Sequence, residues 1–143
     1  MQRHMLLICH SADGHFADGN REAVKRVLEQ TTCTFKHREP GSAWYTIMCP
    51  DGGLIELNAP GLEGNRPFHR MEVIVYCETW TRGTLNLLMD LMRAGGFGLL
   101  DSLDTAQVIV ADLQQVIYFP WLPEPPLFVR SSRDLGQTLG LAS

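Results

Sequence analysis

Short apolar runs separated by polar loops dominate the first part of the chain. Met5–Cys9 is such a run, and the glycine-bearing loop behind it favours a buried strand. Beyond the loop, apolar residues recur three and four positions apart from Arg21 to Thr31, which predicts a helix with one buried face. Asp18 or Asn20 is placed to accept hydrogen bonds from the first free N–H groups of this helix. The pattern therefore opens with a strand followed by a helix.

Two further apolar segments predict a β-hairpin after this helix. Trp44–Cys49 and Leu54–Asn58 have the length and composition of strands. The segment between them, Pro50–Gly53, combines the fixed φ of proline with the freedom of glycine and predicts a tight turn. Ala59–Gly61 ends the second strand, and we expect a linker from there to Pro67.

The same order of elements begins again near residue 70. Arg70–Cys77 is the longest β-branched run of the chain and predicts a strand. Thr79 or Thr81 is placed to cap a second helix that extends to about Ala94. The glycine pair that follows ends this helix, because glycine adopts the left-handed conformation at little cost.

A second hairpin and a tail complete the pattern. Gln107–Ala111 and Gln115–Phe119 predict paired strands with a turn at 112–114. The proline-rich segment that follows excludes regular structure. Ser131 has the spacing of a helix cap, and we expect a short final helix from there to about Leu141.

Each half of the chain thus has the order strand–helix–strand–strand. The two units cover residues 5–59 and 70–120, and a tail covers 121–143. Together they predict a single domain of the α+β class, a two-layer sandwich with one antiparallel sheet of about six strands and two helices on one face. The other face of the sheet is then left for water, a partner or a ligand.

The predicted helix 82–94 has too little polar surface for a helix that packs only on a sheet. Its polar residues form one narrow stripe, consisting of Arg82, Asn86, Asp90 and Arg93. A helix on a sheet needs an apolar arc of roughly 100°, and this helix exceeds it. The additional apolar surface of this helix predicts that something besides the sheet packs against it. The candidates are the C-terminal tail, a homodimer partner or another protein.

Composition and charge narrow the function classes. Twelve Lys and Arg against sixteen Asp and Glu give a net charge of −4, which disfavours nucleic acid, whose phosphates require clustered basic residues. The four cysteines are far apart and form no Cys-x-x-Cys pair, which favours reduced thiols. Because no apolar run is long enough for a membrane span or a signal segment, we expect a cytoplasmic protein that does not enter the membrane.

One polar loop carries candidate metal ligands. His10, Asp13, His15 and Asp18 bring two imidazoles and two carboxylates together between a strand and a helix, and zinc accepts both kinds of ligand. Both aspartates precede glycines and form turns equally well, so a plain polar loop is the alternative. Nucleotide-binding, serine-hydrolase and metalloprotease motifs are absent, and the sequence indicates no cofactor.

Two acidic residues interrupt the predicted apolar strands. Glu56 and Glu72 each lie between apolar neighbours, so alternation places both carboxylates on the sheet face opposite the core. The candidate binding residues of this face are Glu56, Glu72, Tyr76, Glu78, Trp44 and Tyr118. An acidic and aromatic face suits a basic protein partner or a cationic small molecule. A sheet face that is merely solvated is the alternative.

The chain resembles two kinds of known protein. Its doubled strand–helix–strand–strand order resembles the DNA gyrase inhibitor-like domains, which implies a small-molecule groove between two repeats with Glu56 or Glu72 inside it. The segment Leu91–Asp101 resembles segments of small bacterial immunity proteins, which neutralise toxins. This second resemblance implies a non-enzymatic acidic protein that blocks the active site of a toxin.

Three functions remain open on the sequence alone. The leading hypothesis is a non-enzymatic inhibitor or immunity protein that contacts a basic toxin domain through acidic and aromatic residues. The second is a small-molecule-binding domain. A preformed apolar groove that contains a partly buried Glu56 or Glu72 would support this hypothesis. The third is a metal-dependent enzyme built on the loop from His10 to Asp18, which requires bound metal.

Overall fold

A computed structural model describes residues 2–10, 15–76, 80–102, 104–119 and 124–141. Within these ranges the strands are β1 (Gln2–Ile8), β2 (Phe35–Arg38), β3 (Trp44–Met48), β4 (Leu54–Asn58), β5 (Arg70–Tyr76), β6 (Gly98–Asp101), β7 (Asp104–Val110) and β8 (Leu127–Phe128). The α-helices are α1 (Arg21–Gln30), α2 (Arg82–Gly95) and α3 (Ser132–Thr138), and a 3-10 helix spans Leu113–Tyr118.

All eight strands belong to one mixed sheet, in the order β2-β3-β4-β5-β1-β6-β7-β8. Neighbouring strands are antiparallel except β7 and β8, which are parallel. The fold is therefore α+β, as the pattern predicts, with more strands than the expected six. β2, β6 and β8 were not predicted, because every residue of β2 is exposed and the other two strands are short.

The two predicted units share the sheet and interleave at its centre. β5, from the second unit, lies between β4 and β1 of the first, and β1 in turn pairs with β6 of the second. No line through the sheet separates the strands of one unit from those of the other. The described strands of both units thus form one continuous sheet.

The predicted strand at Gln115–Phe119 is wrong. The chain forms the 3-10 helix there, and the Asp112 carboxylate begins it by accepting a hydrogen bond from the Gln114 N–H at 3.0 Å. The segment folds over the sheet, and Phe119 packs with Val108 and Val110 instead of extending the sheet. An apolar run of this length fits a strand and a short helix equally well by periodicity alone.

Each helix is capped by one of the predicted candidates, and the cap of α1 is Asn20 and not Asp18. Asn20 accepts from Ala23 N–H at 3.1 Å, and Thr81 exchanges hydrogen bonds with Thr84 in a capping box. Ser131 caps the final helix. The second helix ends at Gly96, whose φ of +72° lies in the left-handed region that glycine adopts readily.

Helices α1, α2 and α3 cover one face of the sheet, which we call the helix face. The main core lies between the two layers, and its fully buried residues include Leu7, Ile47, Ile55, Leu57, Met71, Val73, Leu88, Met92 and Leu135. Helix α2 contacts both α1 and α3. The chain's own helices therefore cover much of its apolar surface, and the homodimer stays a prediction.

A smaller apolar cluster lies on the opposite face of the sheet. Ile8, Val108, Val110 and Phe119 form it, with Val116 and Tyr118 of the 3-10 helix packed against it. This helix covers the end of the sheet at β6 and β7. Among the described helices, none is long and apolar enough to cross a membrane.

Candidate functional site

The part of the sheet opposite the helices and beyond the 3-10 helix forms the open face. Register fixes which residues share it, since paired residues of neighbouring strands point the same way: Thr46 pairs with Glu56, and Glu56 pairs with Ile74. The residues of this face include Gln2, His4, Leu6, Phe35, His37, Trp44, Thr46, Met48, Leu54, Glu56, Asn58, Arg70, Glu72, Ile74, Tyr76 and Leu100.

The two carboxylates of the open face are half-buried and held by neighbours. The Tyr76 hydroxyl donates to Glu56 Oε1 at 2.5 Å, and Asn58 Nδ2 donates to Glu72 Oε1 at 3.4 Å. The hydrogen bond to Glu56, followed by loss of hydration, raises the pKa of Tyr76 above its ordinary value. Both carboxylates are thus held in position on a surface where aliphatic and aromatic side chains alternate with polar ones, including Arg70.

Four of the six predicted binding residues lie together. Glu56, Glu72, Tyr76 and Trp44 share the open face on β3, β4 and β5, and Trp44 pairs with Asn58. Tyr118 lies instead on the 3-10 helix over the smaller apolar cluster. Glu78 falls outside the described residues.

A groove crosses the open face where β5, β1 and β6 meet. One concavity of about 400 Å³ has an apolar floor that includes Leu6 and Leu100, with Glu72 and Arg70 on its wall. A second, of about 430 Å³, shares Leu6, Leu100 and Arg70 with the first and ends at Phe16. The two form one groove along the central strand. A third concavity of about 440 Å³ lies at Trp44 and Glu56 on the other side of the face.

Aromatic rings close one end of this groove. The rings of His10 and Phe16 stack with centroids 4.7 Å apart, and Phe16 lies 4.7 Å from the ring of His69. Burial, together with the nearby His69, lowers the pKa of His10 below its ordinary value. Phe16 is 65% exposed, so this ring presents an apolar surface to solvent beside the groove.

The loop predicted to hold a metal is only partly described. His10 is buried in the aromatic cluster, whereas His15 and Asp18 are exposed, and Asp13 lies outside the described residues. In the ranges that the structure covers, no group of three or more His, Cys, Asp or Glu side chains is arranged to hold a metal ion. The metal site stays a prediction from sequence.

Two of the three described cysteines are buried. Cys9, Cys33 and Cys49 are free. Burial raises the pKa of Cys9 and of Cys49, and the Cys9 thiol faces two backbone carbonyl oxygens, those of Asp18 and Gly95. Because the thiolate is the reactive form, Cys9 and Cys49 are poor nucleophiles. Cys77 is not among the described residues.

Several residues of the open face carried no recognisable signal in the sequence. Leu6 belongs to a continuous apolar run in which neighbours facing the core and the open face are equally hydrophobic. Leu100 lies on the unpredicted strand β6. Glu56 and Glu72 were predicted because each interrupts an apolar strand. The apolar residues of the groove floor have no such contrast with their neighbours and could not be predicted.

Comparisons with protein-family models, with curated proteins and with solved structures give no significant match for this chain.

Proposed function

We propose that this chain is a non-enzymatic binding protein that holds a basic segment of another protein on its open face. The observation that carries the proposal is a pair of half-buried carboxylates, Glu56 and Glu72, set among aromatic and aliphatic side chains on an uncovered sheet face. Binding surfaces combine apolar anchors with a few oriented polar groups in this way.

Electrostatics favours a cationic occupant. The chain carries a net charge of −4, and the two carboxylates are partly withdrawn from water, which strengthens their attraction for an incoming Lys or Arg. Trp44 lies on the same face and offers a ring for stacking with a guanidinium group. The charge steers association, and the apolar surroundings supply contact area.

We further propose that the partner is a toxin and that this chain is its inhibitor or immunity protein. The support is the resemblance of Leu91–Asp101 to immunity-protein segments, together with the acidic open face. A gene for a basic toxin domain next to the gene for this chain, and copurification of the two products, are the expected findings. A native host that tolerates loss of this gene and yields no retained partner contradicts the immunity role.

The open face itself is tested with a synthetic hexalysine peptide and two double variants. Glu56→Gln/Glu72→Gln removes the two carboxylates of the face, and Glu22→Gln/Glu29→Gln makes the same charge change on exposed positions of helix α1. We expect hexalysine to shift the Trp44 indole N–H resonance and the first variant to weaken binding roughly tenfold. Equal weakening by the control variant, or no shift at Trp44, refutes binding at this face.

A second candidate function is binding of a cationic small molecule in the groove. The observation that favours it is the concavity of about 400 Å³ that contains Glu72 above an apolar floor, since ligand pockets of a few hundred Å³ are typical. Benzyltrimethylammonium serves as the probe. Saturable binding that shifts Leu6 and Leu100 and is lost in Glu72→Gln, without hexalysine binding, supports this candidate over the first.

A further inference from the structure

A cavity lies on the helix side of the sheet, away from the open face. It has a volume of about 590 Å³ and lies between the start of α2, the start of α3 and the segment after α3. Its apolar walls are Trp80, Leu85 and Leu141, all of which pack partly buried against the main core. A cavity with such walls accommodates the apolar body of a small organic molecule.

Two guanidinium groups stand at this cavity. Arg82 is the first residue of α2 and Arg133 the second of α3, and both are exposed. Within the part of the chain that the structure describes, neither side chain forms a hydrogen bond or an ion pair. Two nearby carboxylates are engaged by backbone, since Asp134 accepts from Arg130 N–H at 3.1 Å and Asp51 accepts from Gly83 N–H at 2.8 Å.

Trp80, which lines the cavity, also has a buried donor without a partner in the described part of the protein. The indole Nε1 of Trp80 is buried and has no acceptor among the described residues. A buried donor without a partner is uncommon in folded proteins and often marks the place of an absent polar partner. The N-terminus of α2, by contrast, is already satisfied by Thr81 and Asp51. Recognition at this site therefore depends on the arginine side chains and not on the helix end.

We infer that this cavity binds a small amphiphilic anion, an apolar body carrying one carboxylate or phosphate group. Guanidinium groups form paired, charge-assisted hydrogen bonds to both anions, and the apolar walls of Trp80, Leu85 and Leu141 enclose the body. The site is independent of the open face, because the two share no residue.

Octanoate and octyl phosphate are the probes, and octan-1-ol and octylamine are the uncharged and cationic controls. Binding is followed in ¹H–¹⁵N spectra of the full chain, with the indole resonance of Trp80 assigned by Trp80→Phe. We expect saturable shifts of the Trp80 resonance with both anions and not with the controls. Arg82→Gln/Arg133→Gln should weaken binding roughly tenfold or more, because each arginine contributes a hydrogen bond to a charged group.

The matched control is Arg26→Gln/Arg66→Gln, which removes two exposed arginines elsewhere and should leave binding unchanged. Equal binding of octan-1-ol, or equal weakening in the control variant, overturns the inference. Binding only to vesicles that contain anionic phospholipid, with no shift by either soluble anion, also overturns it. Glu56→Gln/Glu72→Gln should leave anion binding intact, so this site and the open face succeed or fail separately.

Discussion

The ion pair between Arg3 and Asp101 is buried and joins two strands of the sheet. Both side chains are more than nine-tenths buried, and the guanidinium donates to both carboxylate oxygens, with Nε to Oδ1 at 3.2 Å. Arg3 lies on β1 and Asp101 on β6, on the helix face at the edge of the core. A buried ion pair of this kind helps to fix the register of the two strands. Removing one partner is costly in stability, because the other charge then stays buried without a counter-charge.

Asp101→Asn should lower the free energy of unfolding by about 3 kcal/mol, because it leaves the Arg3 guanidinium buried without its counter-charge. Urea unfolding followed by circular dichroism measures the change. The contrast is Lys25→Met, which breaks the half-exposed pair with Glu63 at 3.8 Å and should cost less than about 1 kcal/mol. Arg3→Met/Asp101→Leu should recover much of the loss, and equal losses in the single and double variants contradict this account.

At the scale of single elements, the turn between β3 and β4 does more than connect two strands. Asp51 of this turn accepts from the Gly83 N–H in the first turn of α2, and from the Thr81 hydroxyl. Gly83 has to lack a side chain, because a Cβ there would lie 2.9 Å from the Cβ of Cys49. The turn thereby anchors the start of α2 to the sheet.

Asp51→Ala should destabilise the protein by about 1 kcal/mol, the usual cost of losing a helix cap. The hydrogen bond from Thr81, with those from Gly83 and Gly53, holds the pKa of Asp51 below its ordinary value. A lowered carboxyl pKa stabilises the fold above the unfolded-state pKa of about 4, and this contribution is lost as the pH falls through the folded-state value.

Thermal unfolding of wild type and Asp51→Ala at pH 7 and near pH 2 measures this difference, which should shrink at the lower pH. Asp90→Ala, an exposed position on α2, is the control with the same loss of charge. A difference that stays constant with pH, or an equal effect of Asp90→Ala, argues against the capping role.

Elements with a local signal were predicted well, and the others were not. Capping residues and a glycine stop gave the ends of α2 within a residue, and the strand Leu54–Asn58 was predicted with its observed bounds. β2 has no buried residue and hence no hydrophobic pattern. The apolar run at the 3-10 helix Leu113–Tyr118 fits a strand and a short helix equally well, so no local pattern separates the two. The groove floor depends on the short strand β6 and was missed with it.

At the scale of the whole molecule, the two faces of the sheet differ in burial. Ile55 on β4 faces the helices and is fully buried, whereas Ile74 on the adjacent β5 is half-buried on the open face. Two isoleucines on neighbouring strands therefore lie on opposite faces of the sheet and differ in burial. The helix face carries the main core, and the open face is the binding surface that we propose.

Ile55→Ala should cost about 3 kcal/mol of unfolding free energy, whereas Ile74→Ala should cost about 1 kcal/mol. Denaturant unfolding of both variants measures this. Only Ile74→Ala should weaken binding of hexalysine, because its side chain borders Glu56. Equal destabilisation by the two substitutions, or equal loss of peptide binding, would falsify the division of roles between the two faces.

The place of β1 in the sheet has a consequence for how the chain folds. Arg3 and Asp101 are 98 residues apart in sequence, whereas β2, β3 and β4 pair with strands that are adjacent in the chain. Topologies with such distant pairings fold slowly, and we expect β1 to enter last, between β5 and β6. Until it does, both of those strands have unpaired edges. A second molecule's β1 fits the same slot, so concentrated refolding should yield domain-swapped dimers.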